Sequence, residues 1–247
     1  RAPLPVNGPL LALHRSLLAT VDQLTLSTEL QQRIDQANLV RTEASRAFFQ
    51  QNVEKFQANQ DLIASYEQYG DIVTEFLDAT PCEKNTVLEV GPGEGGFLPN
   101  LSQRFDQVIA LDTSDEMLIR SRETVQTEQL SNVSLIHGDT THAVNQGLRP
   151  NCITLNMVLH HIPNPPQIFE DLKQLLTAGG ALLITDLCHH DQSWARESCG
   201  DLWLGFEPED LSIWASAAGF TEGESLYLAQ RNGFQIQLRQ FFNNSEH

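Results

Sequence analysis

The sequence predicts an α/β fold, a mostly parallel sheet with helices on its faces. Three observations carry this. Short apolar runs alternate with helical stretches from Thr86 to Phe242. The first run, Thr86-Val-Leu-Glu-Val90, opens directly onto the glycine-rich turn Gly91-Pro-Gly-Glu-Gly-Gly96. Later runs end in acids, Asp112 and Asp139, as Glu89 ends the first. A strand, a glycine turn and a helix start let backbone approach a ligand with no side chain in the way.

Upstream of that turn the chain reads as helix. Leu10, Leu11, Leu13, Leu17, Leu18, Val21 and Leu24 recur at helical spacing. Ser27 or Thr28 caps a second helix with Glu29 in its first turn. No proline or glycine interrupts residues 28–64, so this helix is expected to run through them, whole or broken. It is glutamine-rich, with Leu30, Ile34, Leu39, Phe48, Phe49, Phe56, Leu62 and Ile63 as apolar anchors. So thin a stripe needs a partner, either the rest of the chain or a second copy. Residues 1–65 are therefore expected to form an N-terminal helical extension that dimerises or covers an active site, ahead of a domain over 66–247. A helix over Tyr66–Leu77 leads through Pro81 to the first strand.

Asp106–Asp112 reads as the second strand. Asp112 lies 21 residues beyond Gly91. In a strand–helix–strand unit that spacing brings its carboxylate to the neighbouring strand tip, where a ribose diol can donate to it. Thr113-Ser114 caps the next helix, with Asp115 and Glu116 in its first turn. Val133–His137 is the third strand and exits through Gly138-Asp139-Thr140, also readable as a plain turn. The fourth strand ends near Asn156 and exits through His160-His161-Ile-Pro163. Pro166 opens an amphipathic helix that Gly179-Gly180 stops, and Ala181–Leu187 is a fifth strand buried on both faces. Residues 188–207 are aromatic and largely aperiodic, as expected of a substrate lid. A helix from Glu207 closes at Gly219, and two last strands, about 222–230 and 233–242, form a hairpin around Arg231-Asn-Gly233.

The run Val87-Leu-Glu-Val-Gly-Pro-Gly-Glu-Gly95 resembles motif I of the class I S-adenosylmethionine-dependent methyltransferases. Gly91, Gly93 and Gly96 also match the dinucleotide pattern G-x-G-x-x-G, but Glu89 would repel a pyrophosphate there. Leu159-His-His followed by Pro165 resembles a motif frequent in the small-molecule members. The resemblance spans residues 66–242. It implies a Rossmann-like, seven-stranded, mostly parallel sheet with an antiparallel last strand, and S-adenosyl-L-methionine as cofactor with S-adenosylhomocysteine as product. It implies that Glu89, Gly91 and Gly93 hold the methionine part, Asp112 the ribose and Asp139 the adenine amino group. Thr113, Thr140 and Asn156 complete the surround, and Met117 packs either on adenine or in the helix core. The implied reaction is methyl transfer to the oxygen, nitrogen or carbon of a small-molecule acceptor. His160 or His161 is the expected general base; the alternative is that one of them only bonds loop backbone. His189-His190-Asp191 stands near them in such a fold, but with no spaced thiolates or E-x-x-H pattern no metal site is expected.

Arg41, Ser45, Arg46, Phe48 and Phe49 resemble methyltransferases fused behind an ArsR-type winged-helix repressor. On that resemblance the DNA-binding module is absent, and residues 10–40 are a vestige of its junction. It also motivates a second reading, a cofactor-binding regulator without catalysis. A nicotinamide oxidoreductase is disfavoured by Glu89 and by Gly138-Asp139.

Net charge is −17 over 247 residues. Residues 1–60 hold six of the 15 basic and five of the 32 acidic side chains, so the remainder is strongly acidic and repels phosphate backbones. Nucleic acid is therefore not an expected partner. No apolar run approaches the ~20 residues of a membrane span. Cys82, Cys152, Cys188 and Cys199 form no C-x-x-C pair, which fits buried thiols in a reducing cytoplasm.

Overall fold

The computed structural model describes residues 26–244 together with Leu13, Ser16, Leu17 and Thr20. The amphipathic helix expected over residues 10–24 lies largely outside the described residues. Two compact units divide between Val40 and Arg41. The division falls inside the long helix α1 (Thr28–Ala64), which is unbroken, and upstream of the boundary expected at residue 65.

In the first unit Leu26, Leu30, Ile34, Leu39 and Val40 are exposed. In the second, the remainder of α1 is fastened to the later parts of the chain. Ile63 and Ala64 are buried, and Asn232 Nδ2 donates to the carbonyls of both Leu62 and Ile63 at 2.8 Å. Asn59 Nδ2 donates to the Ser198 carbonyl at 2.7 Å. Ser65 then caps α2 (Tyr66–Ala79) in a reciprocal box with Gln68.

Seven strands form one sheet in the order β3-β2-β1-β4-β5-β7-β6. They are β1 (Thr86–Val90), β2 (Gln107–Asp112), β3 (Val133–His137), β4 (Cys152–Asn156), β5 (Ala181–Leu187), β6 (Thr221–Ala229) and β7 (Gln235–Phe242). All neighbours are parallel except β7, which runs antiparallel to both β5 and β6. Between them lie α3 (Leu98–Ser102), α4 (Asp115–Thr127), α5 (Thr140–Asn145), α6 (Pro165–Leu175), α7 (Trp194–Cys199) and α8 (Pro208–Ala217). Residues 96–105 carry a longer helical spacing than α3 uses. Gly95, at φ 84°, holds the turn open before it, and the chain turns again at Arg104 to reach β2.

Alternation along the strands builds two cores. Val87, Val108, Cys152 and Leu183 pack with Val73 and Leu77 of α2 and Leu98 of α3. Leu88, Ile153, Leu155 and Ile184 pack with Phe169 and Leu172 of α6 and Leu211 of α8. Glu89, Thr154 and Asn156 fall in phase with the first set. Strand order reverses between β1 and β4, so a crevice opens beyond the carboxyl ends of those strands, where α/β sheets of this kind bind ligands. Among the described residues no helix is long and apolar enough to cross a membrane.

Candidate active site

Glu89 sits at the tip of β1 and is 2% exposed. In register with it on β4, Thr154 Oγ1 donates to Glu89 Oε2, and Asn156 Nδ2 donates to Oε1 at 3.0 Å. Burial outweighs these donors and raises its pKa to about 8. The Thr154 donor is not visible in the sequence, because an inward threonine in a buried strand looks like any β-branched residue.

The glycine turn comes at once. Gly91 (φ 68°) donates its N–H to Leu111 O at 2.8 Å, and a Cβ there would meet the Val158 side chain. Gly93 (φ 56°) faces open space, with nothing within 4 Å of an added Cβ. Helix α4 pins the turn from behind: Ser121 Oγ donates to Gly93 O at 2.9 Å and Thr124 Oγ1 to Glu94 O at 2.7 Å. The backbone is thus held while its front stays free.

Asp112 ends the adjacent strand and accepts the Ser114 N–H at 2.8 Å; burial raises its carboxyl to about 6. Ser114 caps α4 through the Met117 N–H, and Met117 is buried. Thr113 is exposed, and its carbonyl lies 3.1 Å from His137 Nε2. Asp139 is exposed and caps α5 through the His142 N–H at 2.7 Å. Thr140 is buried, and its hydroxyl donates to Asp171 Oδ2 on α6 at 2.7 Å. The acids of β1 and β2 therefore stand at neighbouring strand tips, whereas the Thr140 hydroxyl is committed to a helix–helix contact.

Both histidines are buried: His160 is 0% exposed and His161 8%. The reason is a 3₁₀ turn over Leu159–His161 that folds them inward, under a clasp in which Leu202 and Trp203 N–H both donate to the His160 carbonyl at 3.1 Å. His160 Nδ1 bonds Asp186 Oδ1 at 2.8 Å. Burial opposes its charge, but Asp186 and Asp201 prevail and raise it to about 9. His161 is pushed low by burial and by His160, and its ring stands edge-on to Phe49 at 5.1 Å. The loop over 188–207 contributes α7, and its two ends pair with each other at Cys188–Phe206. Asp201 is not legible in that loop: no periodicity places it, and only the αL turn at Gly200 aims it inward.

A family model described as a methyltransferase domain, Methyltransf_23, matches residues 56–237. The chain belongs to this family. An uncharacterized 37.1 kDa protein from a Streptomyces fradiae transposon is 30% identical over 117 residues, 47% of this chain and 33% of that protein. The arsenite methyltransferase of Halobacterium salinarum is 30% identical over 105 residues, 41% of this chain and 27% of that one. The chain thus spans about a third or less of these relatives' length. The fold is also that of Haemonchus contortus phosphoethanolamine N-methyltransferase 2, solved with S-adenosyl-L-methionine (TM-score 0.64, 15% identity, covering 81% of this chain and 60% of that one).

Proposed function

We propose that the chain transfers a methyl group from S-adenosyl-L-methionine to a small-molecule acceptor. The observation that carries this is the buried Glu89 carboxylate beside an open glycine turn, with Asp112 on the next strand tip. The residues present fit the cofactor. Glu89 offers acceptors to an ammonium group, Asp112 offers them to a ribose diol, and Gly93 lets backbone come close. When bound, the cofactor supplies a methyl group made electrophilic by its sulfonium. The protein's own part is to orient and to exclude water. Glu89, raised to about 8, holds its proton in the free protein at neutral pH and gives it up when a cation arrives beside it.

Acceptor size is read from two features. Phe49 stands edge-on to His161 and Phe48 lies against Gly200, so aromatic rings pack on the loops that follow β4 and β5. The acidic balance of the domain opposes a nucleic-acid acceptor.

The test is a calorimetric titration with S-adenosylhomocysteine, followed by transfer of labelled methyl from the cofactor to a whole-cell extract that is then separated into small-molecule, RNA and protein fractions. Saturable binding and label in the small-molecule fraction support the reading. Label only in RNA or protein, or binding of a nicotinamide dinucleotide instead, overturns it.

A further inference from the structure

Two aspartates flank the histidine pair, and they are treated differently by the fold. Asp186 is fully satisfied: it accepts His160 Nδ1–H and Leu187 N–H on Oδ1 and Leu159 N–H on Oδ2, each at 2.8 Å. Asp201, 3% exposed, has no hydrogen-bond partner for either oxygen among the described residues. His160 and, more weakly, Arg196 act on it by charge attraction without a hydrogen bond. A buried carboxylate left this way is costly unless a cation meets it.

We propose that His160, His161 and Asp201 bind a divalent transition-metal ion. One donor atom from each lies within 4.8 Å of the others. His160 Nε2 stands 3.8 Å from Asp201 Oδ1, and His161 Nδ1 stands 4.0 Å from it. These separations are too long for N–H···O bonds, which sit at about 2.7–3.2 Å. They approach those of two donors on one ion, about 3.4 Å apart when each is ~2.0–2.1 Å from a tetrahedral centre. Modest side-chain rotation closes the difference. His161 Nδ1 also lies 3.3 Å from the Gly200 carbonyl, a long contact that an ion on Nδ1 would displace.

The surroundings are those of a metal site rather than of an ordinary ion pair. Asp186 accepts the Nδ1–H of His160 and so leaves Nε2 facing Asp201, where a metal ion would replace the proton that the two carboxylates favour; this is the carboxylate–histidine arrangement that orients metal-binding imidazoles. Asp186 is itself held by backbone, and Asp201 is held by the Leu202 and Trp203 clasp on the His160 carbonyl. Trp203 Nε1 adds a bond to Ile162 O at 2.8 Å. Two imidazoles and one carboxylate favour zinc, iron, cobalt or manganese over magnesium or calcium, which take all-oxygen shells. Three protein donors leave a four-coordinate ion one position for water or a ligand heteroatom. The inference stands apart from the methyltransferase reading, since none of these residues touches Glu89 or Asp112 in the described contacts.

The full chain is purified, its metal content measured by mass spectrometry, and the protein stripped with a chelator. Cobalt(II) alone is then added. The expected result is near one ion per chain, visible d–d absorption and a rise in melting temperature, with the bands lost in Asp201→Asn and in His160→Gln. Absence of bands and of any thermal shift in the native sequence overturns the proposal, as do bands that persist in Asp201→Asn. If either variant is unfolded by circular dichroism, anomalous diffraction at the cobalt edge on the native sequence decides. Density between residues 160, 161 and 201 supports the site, and density elsewhere refutes it.

Discussion

The crevice at β1 and β2 and the chamber behind β4 and β5 are both lined with buried acids, but they are finished differently. In the crevice, Glu89 and Asp112 each have donors from side chain or backbone, and the space in front is open at Gly93. In the chamber the inner acid, Asp186, takes three hydrogen bonds and the outer acid, Asp201, takes none among the described residues. Burial alone therefore does not mark a ligand site. What marks it is a charged group whose partners stop short of satisfying it, at a place where something can still arrive.

That contrast is most sharply broken by changing the two aspartates in the metal-free protein. Asp186→Ala strands the His160 Nδ1 proton and two backbone N–H groups, so denaturant unfolding is expected to show a loss of about 3–5 kcal/mol. Asp201→Asn removes a charge that meets His160 only across 3.8 Å and takes no hydrogen bond among the described residues. It should leave stability within about 1 kcal/mol of the parent or raise it. Equal losses in the two variants would show that Asp201 has the partners its surroundings lack.

In the crevice the largest effect is expected at Glu89. Glu89→Gln should weaken S-adenosylhomocysteine binding by about 1.5–3 kcal/mol, the range for hydrogen bonds to charged groups. Its pH signature separates it from a simple packing change. A carboxyl raised from 4.5 to about 8 binds a proton in the folded state that the unfolded state has lost. Its contribution to stability is therefore full below pH 4.5 and disappears as pH rises through about 8. Thermal melts of the parent should fall across that window, and Glu89→Gln should flatten the fall. Titration in buffers of different ionisation heat should show proton release on binding at about pH 7 that vanishes at about pH 9, above the carboxyl's folded value.

Smaller effects sharpen the map. Asp112→Ala is expected to cost about 1–3 kcal/mol of cofactor affinity with little change in melting temperature. Gly91→Ala meets Val158 at positive φ and should lower stability by more than about 1 kcal/mol. Gly93→Ala meets no protein atom. It should lose less stability than Gly91→Ala but obstruct the ligand, so affinity falls while the melt shifts less. Calorimetry and melts of the pair read both quantities.

The fold is largely legible in the sequence because its signals are local. Apolar alternation marks the strands, Ser114 marks a helix start, and the glycine turn marks the switch point of the sheet. Glu89 and Asp112 are legible because strand tips are fixed by where the apolar runs stop. The histidine chamber is not, because it is assembled by backbone. A 3₁₀ turn, an αL glycine and two N–H groups on one carbonyl bring residue 201 to residue 160, and none of these has a periodic signature. Thr140 shows the same limit, since its partner Asp171 lies on another helix.

The most direct measurement is a calorimetric titration of the full chain with S-adenosylhomocysteine, run beside Glu89→Gln, Asp112→Ala and a nicotinamide dinucleotide control. Saturable binding by the parent, weaker binding by both variants and no heat from the dinucleotide are expected. Unchanged affinity in both variants, or heat from the dinucleotide alone, would contradict the cofactor assignment.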